Sequence, residues 1–266
     1  LPSLEQNNTA LKRAHLPQIF KDWFANKGWR VRPYQQQMQR AFVNQSSSLL
    51  IAPTGAGKTL SGFLPCLVDL HKQLHSPKSK KKIGLHTLYI SPLKALTYDI
   101  NRNLEAPITE MDLGITLGVR TGDTTSYQRQ KQRKSPPHIL LTTPESLMLM
   151  LSYADAPAIF ANLRCVIVDE AHALANTKRG DFLSLALARL HWLNPNFIRV
   201  GLSATVAHPE SLAMWLGVSG EPVEVIKAKS RIKPRVKILT NKKYIPFGGY
   251  MGKYAKQEIF DAINKA

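Results

Sequence analysis

The sequence predicts an open α/β fold, a mostly parallel β-sheet with helices on both faces. Three observations point to it. Short runs rich in branched residues alternate with helix-like segments along most of the chain. The runs are apolar on both faces, as strands of a parallel sheet covered by helices must be. One of them passes straight into a glycine-rich loop, then a lysine, a threonine and a helix-like segment: "LLIAPTGAGKTL", residues 49–60.

Each element can be justified in order. Residues 1–16 are polar and aperiodic and read as a mobile lead-in. "PQIFKDWFANKG" and "PYQQQMQRAFVNQ" read as helices with proline near the first turn, where its missing N–H costs nothing. The strands follow as "SLLIA", "HTLYI", "ITLGVR", "HILLTT", "CVIVDE" and "FIRVGLSA", with a helix from about Lys58 to Leu74 after the first. Two basic loops interrupt them, "SPKSKKKIG" (76–84) and "SYQRQKQRKSPP" (126–137). At 227–237, Lys227, Lys229, Arg231, Lys233, Arg235 and Lys237 alternate, so an extended chain shows all six on one face opposite Ile232 and Val236. Such a row guards an edge strand against aggregation or contacts nucleic acid or an acidic partner. Past 240 the alternation stops, and 241–266 reads as a linker and one helix with Ala255, Ile259 and Ala262 on one side. The expected organisation is therefore a lead-in (1–16), a core domain (17–240) and a tail (241–266).

Composition bounds the class. With 266 residues, 44% hydrophobic and 20% charged, the chain reads as a soluble globular protein. No apolar run approaches the ~20 residues of a membrane span. The N-terminus lacks a basic-then-apolar leader and starts at Leu1, as a processed chain or a fragment would. Cys66 and Cys165 lie in apolar stretches without metal-ligand spacing, which suggests two buried thiols in a cytoplasmic protein. The 36 Lys and Arg against 18 Asp and Glu, net +18, favour a polyanionic partner, nucleic acid ahead of an anionic membrane surface.

In "APTGAGKT", Gly55 and Gly57 let the backbone curl, so that the cradle Thr54, Gly55, Ala56 and Gly57 points N–H groups at a phosphate. Lys58 then reaches the β/γ oxygens and the Thr59 hydroxyl coordinates Mg²⁺. The strict pattern begins with glycine, where this chain has Ala52. Roughly 110 residues on, "CVIVDEAH" sets Asp169 and Glu170 at the carboxyl end of a buried strand, the edge at which open α/β sheets bind ligands. Asp169 can hold Mg²⁺ through its water shell, Glu170 can deprotonate the attacking water, and His172 lies near enough to sense the γ-phosphate. In isolation the same two carboxylates also suit a helix cap. "GLSAT" ends another strand with Ser203 and Thr205, whose hydroxyls can bond neighbouring polar groups or cap a helix.

Two further strand ends carry their own signal. "ISPLKAL" puts Ser91 at a helix cap with Pro92 at the first helical position, and "TTPESL" does the same with Thr143 and Pro144. Each presents free backbone N–H groups and a positive helix end to a phosphate, as ordinary caps also do. "RTGD" adds a turn at Arg120, Thr121 and Gly122.

Taken together, "APTGAGKT", "DEAH" and "LSAT" resemble motifs I, II and III of superfamily 2 helicases. With "RPYQ", "LYISPLKAL", "RTGD", "TTPESL", "DEAHAL", "KRGDFLSLALARL" and "GLSATV", the chain most resembles large helicase-related (Lhr-type) DNA helicases, including the ligase-associated branch, over about residues 20–226. The resemblance implies a RecA-like P-loop NTPase domain that binds ATP and Mg²⁺. It implies a longer chain in which a second RecA-like domain closes over the nucleotide and the pair moves along nucleic acid, in a DNA-repair setting. It assigns Gln35 to the adenine edge; Trp29 and Tyr34 nearby suit either the base or the core. It makes Ser91, Pro92, Thr143, Pro144, Arg120, Thr121 and Gly122 parts of motifs Ia, Ic and Ib, which grip the sugar–phosphate backbone without reading bases. Lys94, Arg179 and Gly180 are further candidates for that track. The partner is then single-stranded or partly duplex nucleic acid, with DNA over RNA on the resemblance alone, and no membrane. Nothing past 240 resembles the second domain and its arginine finger, except for what could be its first helix, so the chain reads as the front half of a motor. The competing readings are an ATP-switched clamp that grips without unwinding, an RNA helicase, and a transporter motor, which lacks its "LSGGQ"-like signature here.

Overall fold

The structure, a computed structural model, describes residues 15–76, 83–204, 206–218, 221–228 and 255–264. Thr205, the lead-in to residue 14, the centre of the first basic loop, and Lys229, Arg231, Lys233, Arg235 and Lys237 lie outside them. The chain divides into two compact units, Leu1–Lys229 and Ser230–Ala266, a boundary about ten residues before the one read from sequence.

The first unit opens with helices α1 (Gln18–Asn26) and α2 (Pro33–Val43), and Pro33 takes the first helical position as expected. All six expected strands form: β1 (Ser48–Ile51), β2 (Thr87–Ile90), β3 (Leu117–Arg120), β4 (Ile139–Thr142), β5 (Cys165–Val168) and β6 (Ile198–Ser203). A seventh, β7 (Glu224–Lys227), pairs with β1 at the sheet's end and holds Lys227, the one described member of the alternating basic row. Helices α3 (Lys58–Leu74) and α4 (Lys94–Glu110) follow β1 and β2. Then come α5 (Ser126–Lys134), α6 (Pro144–Leu151), α7 (Ala156–Phe160), α8 (Ala171–Leu174), α9 (Lys178–Leu193) and α10 (Pro209–Leu216).

The order across the sheet is β3-β4-β2-β5-β6-β1-β7, and every pairing is parallel. Travel from β1 to β2 to β3 runs one way across the sheet, and travel from β3 onward runs back. Right-handed crossovers must then lie on one face for the first leg and on the other for the return. The core shows this division. Leu50, Tyr89, Leu141 and Ile167 pack with α1 to α4, whereas Leu49, Ile51, Leu88, Ile90, Val166 and Val168 pack with α6 to α10. Period-two alternation along buried strands supplies both faces from one run of branched residues. Cys66 and Cys165 are both buried free thiols, as expected.

One expectation is overturned. Residues 126–134, read as part of a basic loop, form α5. Thr125 Oγ1 accepts from the Gln128 N–H, and the Gln128 side chain accepts from the Thr125 N–H, at 3.3 Å each. This capping box starts the helix although α5 buries no residue. The apolar periodicity that marks other helices is missing because polar side chains attach it.

In the second unit, α11 (Lys256–Asn264) is the described element; no residue of it is buried, and Ile259, Phe260 and Ile263 are exposed.

Candidate functional site

Because the sheet is parallel, the loops after its strands open on one edge. Strand order sorts them. β5, β6 and β1 are neighbours and carry the three nucleotide motifs, while β3, β4 and β2 carry the candidate polyanion motifs. Ile51 pairs with Ser203, and Val168 with Gly201 of the same strand, so Ser203 stands between the phosphate loop and the acidic strand end.

The loop has the backbone that its glycines allow. Gly55 and Gly57 lie at φ +77° and +76°, the left-handed region that strains other residues. Ala52, in place of a glycine, is buried and donates its N–H to the Ser203 carbonyl at 3.1 Å, continuing the β1–β6 ladder. Tyr34 donates its hydroxyl to the Ala56 carbonyl, so this buried ring ties α2 to the loop instead of facing a base. Trp29 is exposed and packs edge-on against Trp23. The amides of Gly55, Gly57, Lys58 and Thr59 find no acceptor among the described residues. Unpaired donors at a helix N-terminus suit a phosphate. Thr54 is exposed beside them, and Lys58 is nearly buried at the start of α3. Gln35 lies in the first turn of α2, where its side-chain oxygen accepts from the Arg32 N–H at 2.9 Å. Its NH₂ end is then the part that can face an adenine.

At the acidic strand end, Asp169 is buried and held through both oxygens. Tyr89 of β2 donates to Oδ2 at 2.5 Å, and the Glu170 N–H donates to Oδ1 at 2.8 Å. Burial pushes the Asp169 carboxyl above the usual carboxylate range, although the Tyr89 and Glu170 hydrogen bonds and the Lys58 charge oppose it. Burial and the facing carboxylate push the Tyr89 phenol far up, which keeps it a donor. Tyr89 escaped the sequence reading because a tyrosine at an inward position of an apolar strand looks like ordinary core. Glu170 adopts φ 47°, ψ 42°, a left-handed conformation costing about 1–2 kcal/mol for a non-glycine residue. That turn ends the strand and leaves its carboxylate partly exposed beside His172, whose Nδ1 lies 3.5 Å from Glu170 Oε2 and 3.1 Å from Ser203 Oγ. Motifs expected separately thus meet at His172, and neither carboxylate makes a side-chain cap hydrogen bond to α8.

On the other half of the edge the expected residues take different roles. Thr143 caps α6 by accepting from the Ser146 N–H at 3.5 Å, with Pro144 first in the helix, as expected. Ser91 does not cap a helix. The helix begins at Lys94 with Leu93 as its cap residue, and buried Ser91 accepts from the Leu93 N–H at 3.3 Å within the preceding turn, which contains Pro92. Arg120 is buried rather than presented to a polyanion. Its guanidinium donates to the Tyr153 hydroxyl at 2.9 Å and lies 5.4 Å from that ring's centre, and burial lowers its pKa. Thr121 is buried as well, its hydroxyl accepting from the Asp123 N–H, so Gly122 is the exposed part of this turn. Lys94 reaches over Gly122 to pair with Asp123 at 2.8 Å, an exposed contact worth at most about 1 kcal/mol that a phosphate can replace. Arg179 donates to Glu145 at 2.7 Å and to the Pro92 carbonyl at 2.8 Å, joining the start of α9 to the start of α6 and to the turn after β2 while staying half-exposed. Gly180 is buried, and a Cβ there would lie 2.1 Å from the Leu174 carbonyl oxygen, so close packing of α8 on α9 explains this glycine.

The family model for DEAD/DEAH box helicases matches residues 32–212. The chain is 40% identical over 230 residues to the ATP-dependent helicase Lhr-Core of Methanocaldococcus jannaschii, covering 83% of this chain and 27% of that protein. It is 37% identical over 241 residues to the Lhr helicase/uracil glycosylase of Escherichia coli, covering 84% and 16%. Among solved structures, helicase Lhr of Mycobacterium smegmatis bound to ssDNA and AMP-PNP superposes with a TM-score of 0.72 at 40% identity, over 80% of this chain and 28% of that one. The chain thus spans little more than a quarter, at most, of the length of these relatives.

Proposed function

Since the chain belongs to the DEAD/DEAH box helicase family, with its similarity on the Lhr side, we propose that it is the ATP-binding half of a motor that moves along single-stranded DNA. One observation carries this. Tyr89 holds Asp169 of the nucleotide half, and the turn that directly follows the same strand, Ser91–Pro92, belongs to the polyanion half. A rigid strand therefore joins the two sites.

The residues fit the chemistry. The unpaired amides of Gly55, Gly57, Lys58 and Thr59 receive phosphate oxygens, whereas the Ala56 N–H is taken by the Pro53 carbonyl, and Lys58 neutralises the β- and γ-phosphates. Thr59 and Asp169 offer the hard oxygen donors that Mg²⁺ takes, and they would hold it. When bound, that ion neutralises charge developing between the β- and γ-phosphates. Glu170 accepts the proton of the attacking water, aimed by its left-handed turn. His172 and Ser203 share a hydrogen bond that relates the acidic loop to β6. The Thr143–Pro144 helix end, the Ser91–Pro92 turn, Gly122, Lys94 and Arg179 face backbone phosphates without reading bases.

DNA over RNA rests on the relative bound to ssDNA. No helix of the described residues is long and apolar enough to cross a membrane, and two buried free thiols suit a cytoplasmic setting. A role in DNA repair belongs to the same reading. A second RecA-like domain in the intact protein would supply the facing half of the track and an arginine finger, worth about 10³–10⁵ in rate in P-loop enzymes.

The test is ATP hydrolysis and strand displacement by the intact protein. Added single strands should raise hydrolysis, because their binding favours the closed state, and a partial duplex should be unwound. Hydrolysis with tight DNA binding but no displacement or translocation would make it an ATP-switched clamp.

A further inference from the structure

We propose that α5 is a second contact for single-stranded nucleic acid, carrying the strand past the strand-end track and around the β3 edge of the sheet. The inference rests on the nucleic-acid reading above and extends it to residues that the motifs do not include.

The two faces of α5 do different things. Its inner face is polar and used up in attachment. Arg129 donates to the Gly122 carbonyl at 2.8 Å and the Thr121 carbonyl at 3.4 Å. Gln132 donates to the Val119 carbonyl of β3 at 3.0 Å. Arg133 makes a bidentate pair with Asp155 at 2.9 Å and stacks 4.5 Å from the centre of the Tyr153 ring. The helix is thus bonded to the edge strand at Val119 and to the Thr121–Gly122 turn, where the proposed track ends.

The outer face is left to solvent. Tyr127, Gln130, Lys131 and Lys134 fall at i, i+3, i+4 and i+7, which is one stripe of a helix, and all four are exposed. Tyr127 shows 74% of its surface. Neither lysine is ion-paired among the described residues. Covering an edge strand asks only for the inner face and charge. An aromatic ring standing free in the first turn, with two free ammonium groups one and two turns further along, matches the needs of an unpaired strand. A ring stacks on a base of any identity, and lysines follow the phosphates. The stripe is about 10 Å long at 1.5 Å per residue. Residues 126–134 include no acidic side chain, and the two nearest carboxylates are each held by a cation, Asp155 by Arg133 and Asp123 by Lys94.

The test is binding of a fluorescent oligo-dT by the intact protein at several salt concentrations. Lys131→Ala/Lys134→Ala should lower the slope of log affinity against log salt by about 1.4, since each single-strand phosphate contact contributes about 0.7. Tyr127→Ala should weaken binding about fivefold or more with the slope unchanged, and Tyr127→Phe should restore it. All three positions are solvent-exposed and alanine favours helix, so melting temperatures should stay at the wild-type value. Wild-type affinity and slope in the alanine variants would overturn the inference while leaving the track intact. Failure of the wild-type protein to bind the oligonucleotide would instead overturn the nucleic-acid reading itself.

Discussion

Gly180→Ala separates a packing role from a nucleic-acid role at a position that is only a further candidate for the track. Alanine inside a helix ordinarily gains up to about 1 kcal/mol over glycine. Here the added Cβ would meet the Leu174 carbonyl oxygen at 2.1 Å and its carbon at 2.8 Å, roughly 1 Å inside any contact a methyl tolerates. The obstacle is backbone and cannot rotate away. The Leu174 oxygen also accepts from the Thr177 N–H at 3.2 Å and the Thr177 hydroxyl at 2.7 Å, the pair that starts α9. Overpacking of about 1–3 kcal/mol plus two weakened hydrogen bonds of about 0.5–1.5 kcal/mol each outweighs the helix gain. The expected net loss is about 2–3 kcal/mol, or about 4–12 °C in Tm for a unit of this size. Thermal unfolding by circular dichroism measures it. Gly122→Ala, whose Cβ would meet only the flexible end of Lys94 at 3.3 Å, should melt within about 2 °C of wild type. Because α8 carries His172, ATP turnover of the Gly180 variant should fall in parallel. A Gly180 variant that melts at or above the wild-type temperature would refute the packing argument, and selective loss of DNA affinity would return this residue to the track.

The remaining predictions concern the nucleotide site and one distant pair. Lys58→Ala should sharply weaken MgATP binding with the fold retained, whereas Glu170→Gln should bind ATP normally and lose turnover; fluorescent-nucleotide titration and steady-state hydrolysis distinguish them. Tyr89→Phe removes a hydrogen bond to a charged group, worth about 1.5–3 kcal/mol, so MgATP affinity of the intact protein should drop at least tenfold. An unchanged titration would mean that Asp169 needs no holder. On α3, burial pushes the Asp69 carboxyl up, but its hydrogen bond from His86 at 2.9 Å, the His86 charge and Gln73 outweigh that and hold it below the usual value of 3.8. A lowered carboxylate stabilises the fold above its unfolded pKa and loses that contribution as pH falls through its folded one. The melting temperature should therefore decline on acidification below about pH 4, and Asp69→Asn should flatten that decline; identical acid limbs would remove Asp69 from the explanation.

The sheet was legible because branched runs apolar on both faces have few other uses, and all six expected strands form where those runs lie. The phosphate loop and acidic strand end were legible because their chemistry needs particular residue types at fixed offsets, and Gly55 and Gly57 do take positive φ. What failed to show follows a common cause. β7 lies half-exposed at the sheet's end with Glu224 and Lys227 on either side of Val225 and Ile226, so it has no continuous apolar run to announce it. The attachment of α5 is polar, with carbonyls of the Thr121–Gly122 turn and β3 taking bonds from Arg129 and Gln132, and apolar periodicity cannot report it. Arg120 and Arg179 look alike as basic residues in motif strings, yet one is buried against Tyr153 and the other stays half-exposed between the start of α6 and the turn after β2. Burial of an arginine depends on a partner 33 residues away, which no local pattern carries.

The strand order explains why the two halves of the edge can act on one another. β2 lies between β4 and β5, so it is the strand at which the proposed polyanion half would meet the proposed nucleotide half. Its register is fixed on both sides, with Ile90 opposite Thr142 and Val168. A slip of one residue would turn Tyr89 away from Asp169 and exchange the side chains packed on the two covered faces, so the register is strongly specified. Arg179 adds a second tie, from the start of α9 to the carbonyl of Pro92. A phosphate that draws on the Pro92 turn or competes for Arg179 would thus act three residues from Tyr89 on one side, and on the other at α9, which packs against Leu174 of the helix that carries His172. Such coupling needs no large motion: a few tenths of an ångström at Tyr89 changes a 2.5 Å hydrogen bond appreciably, because charge-assisted bonds weaken steeply with distance.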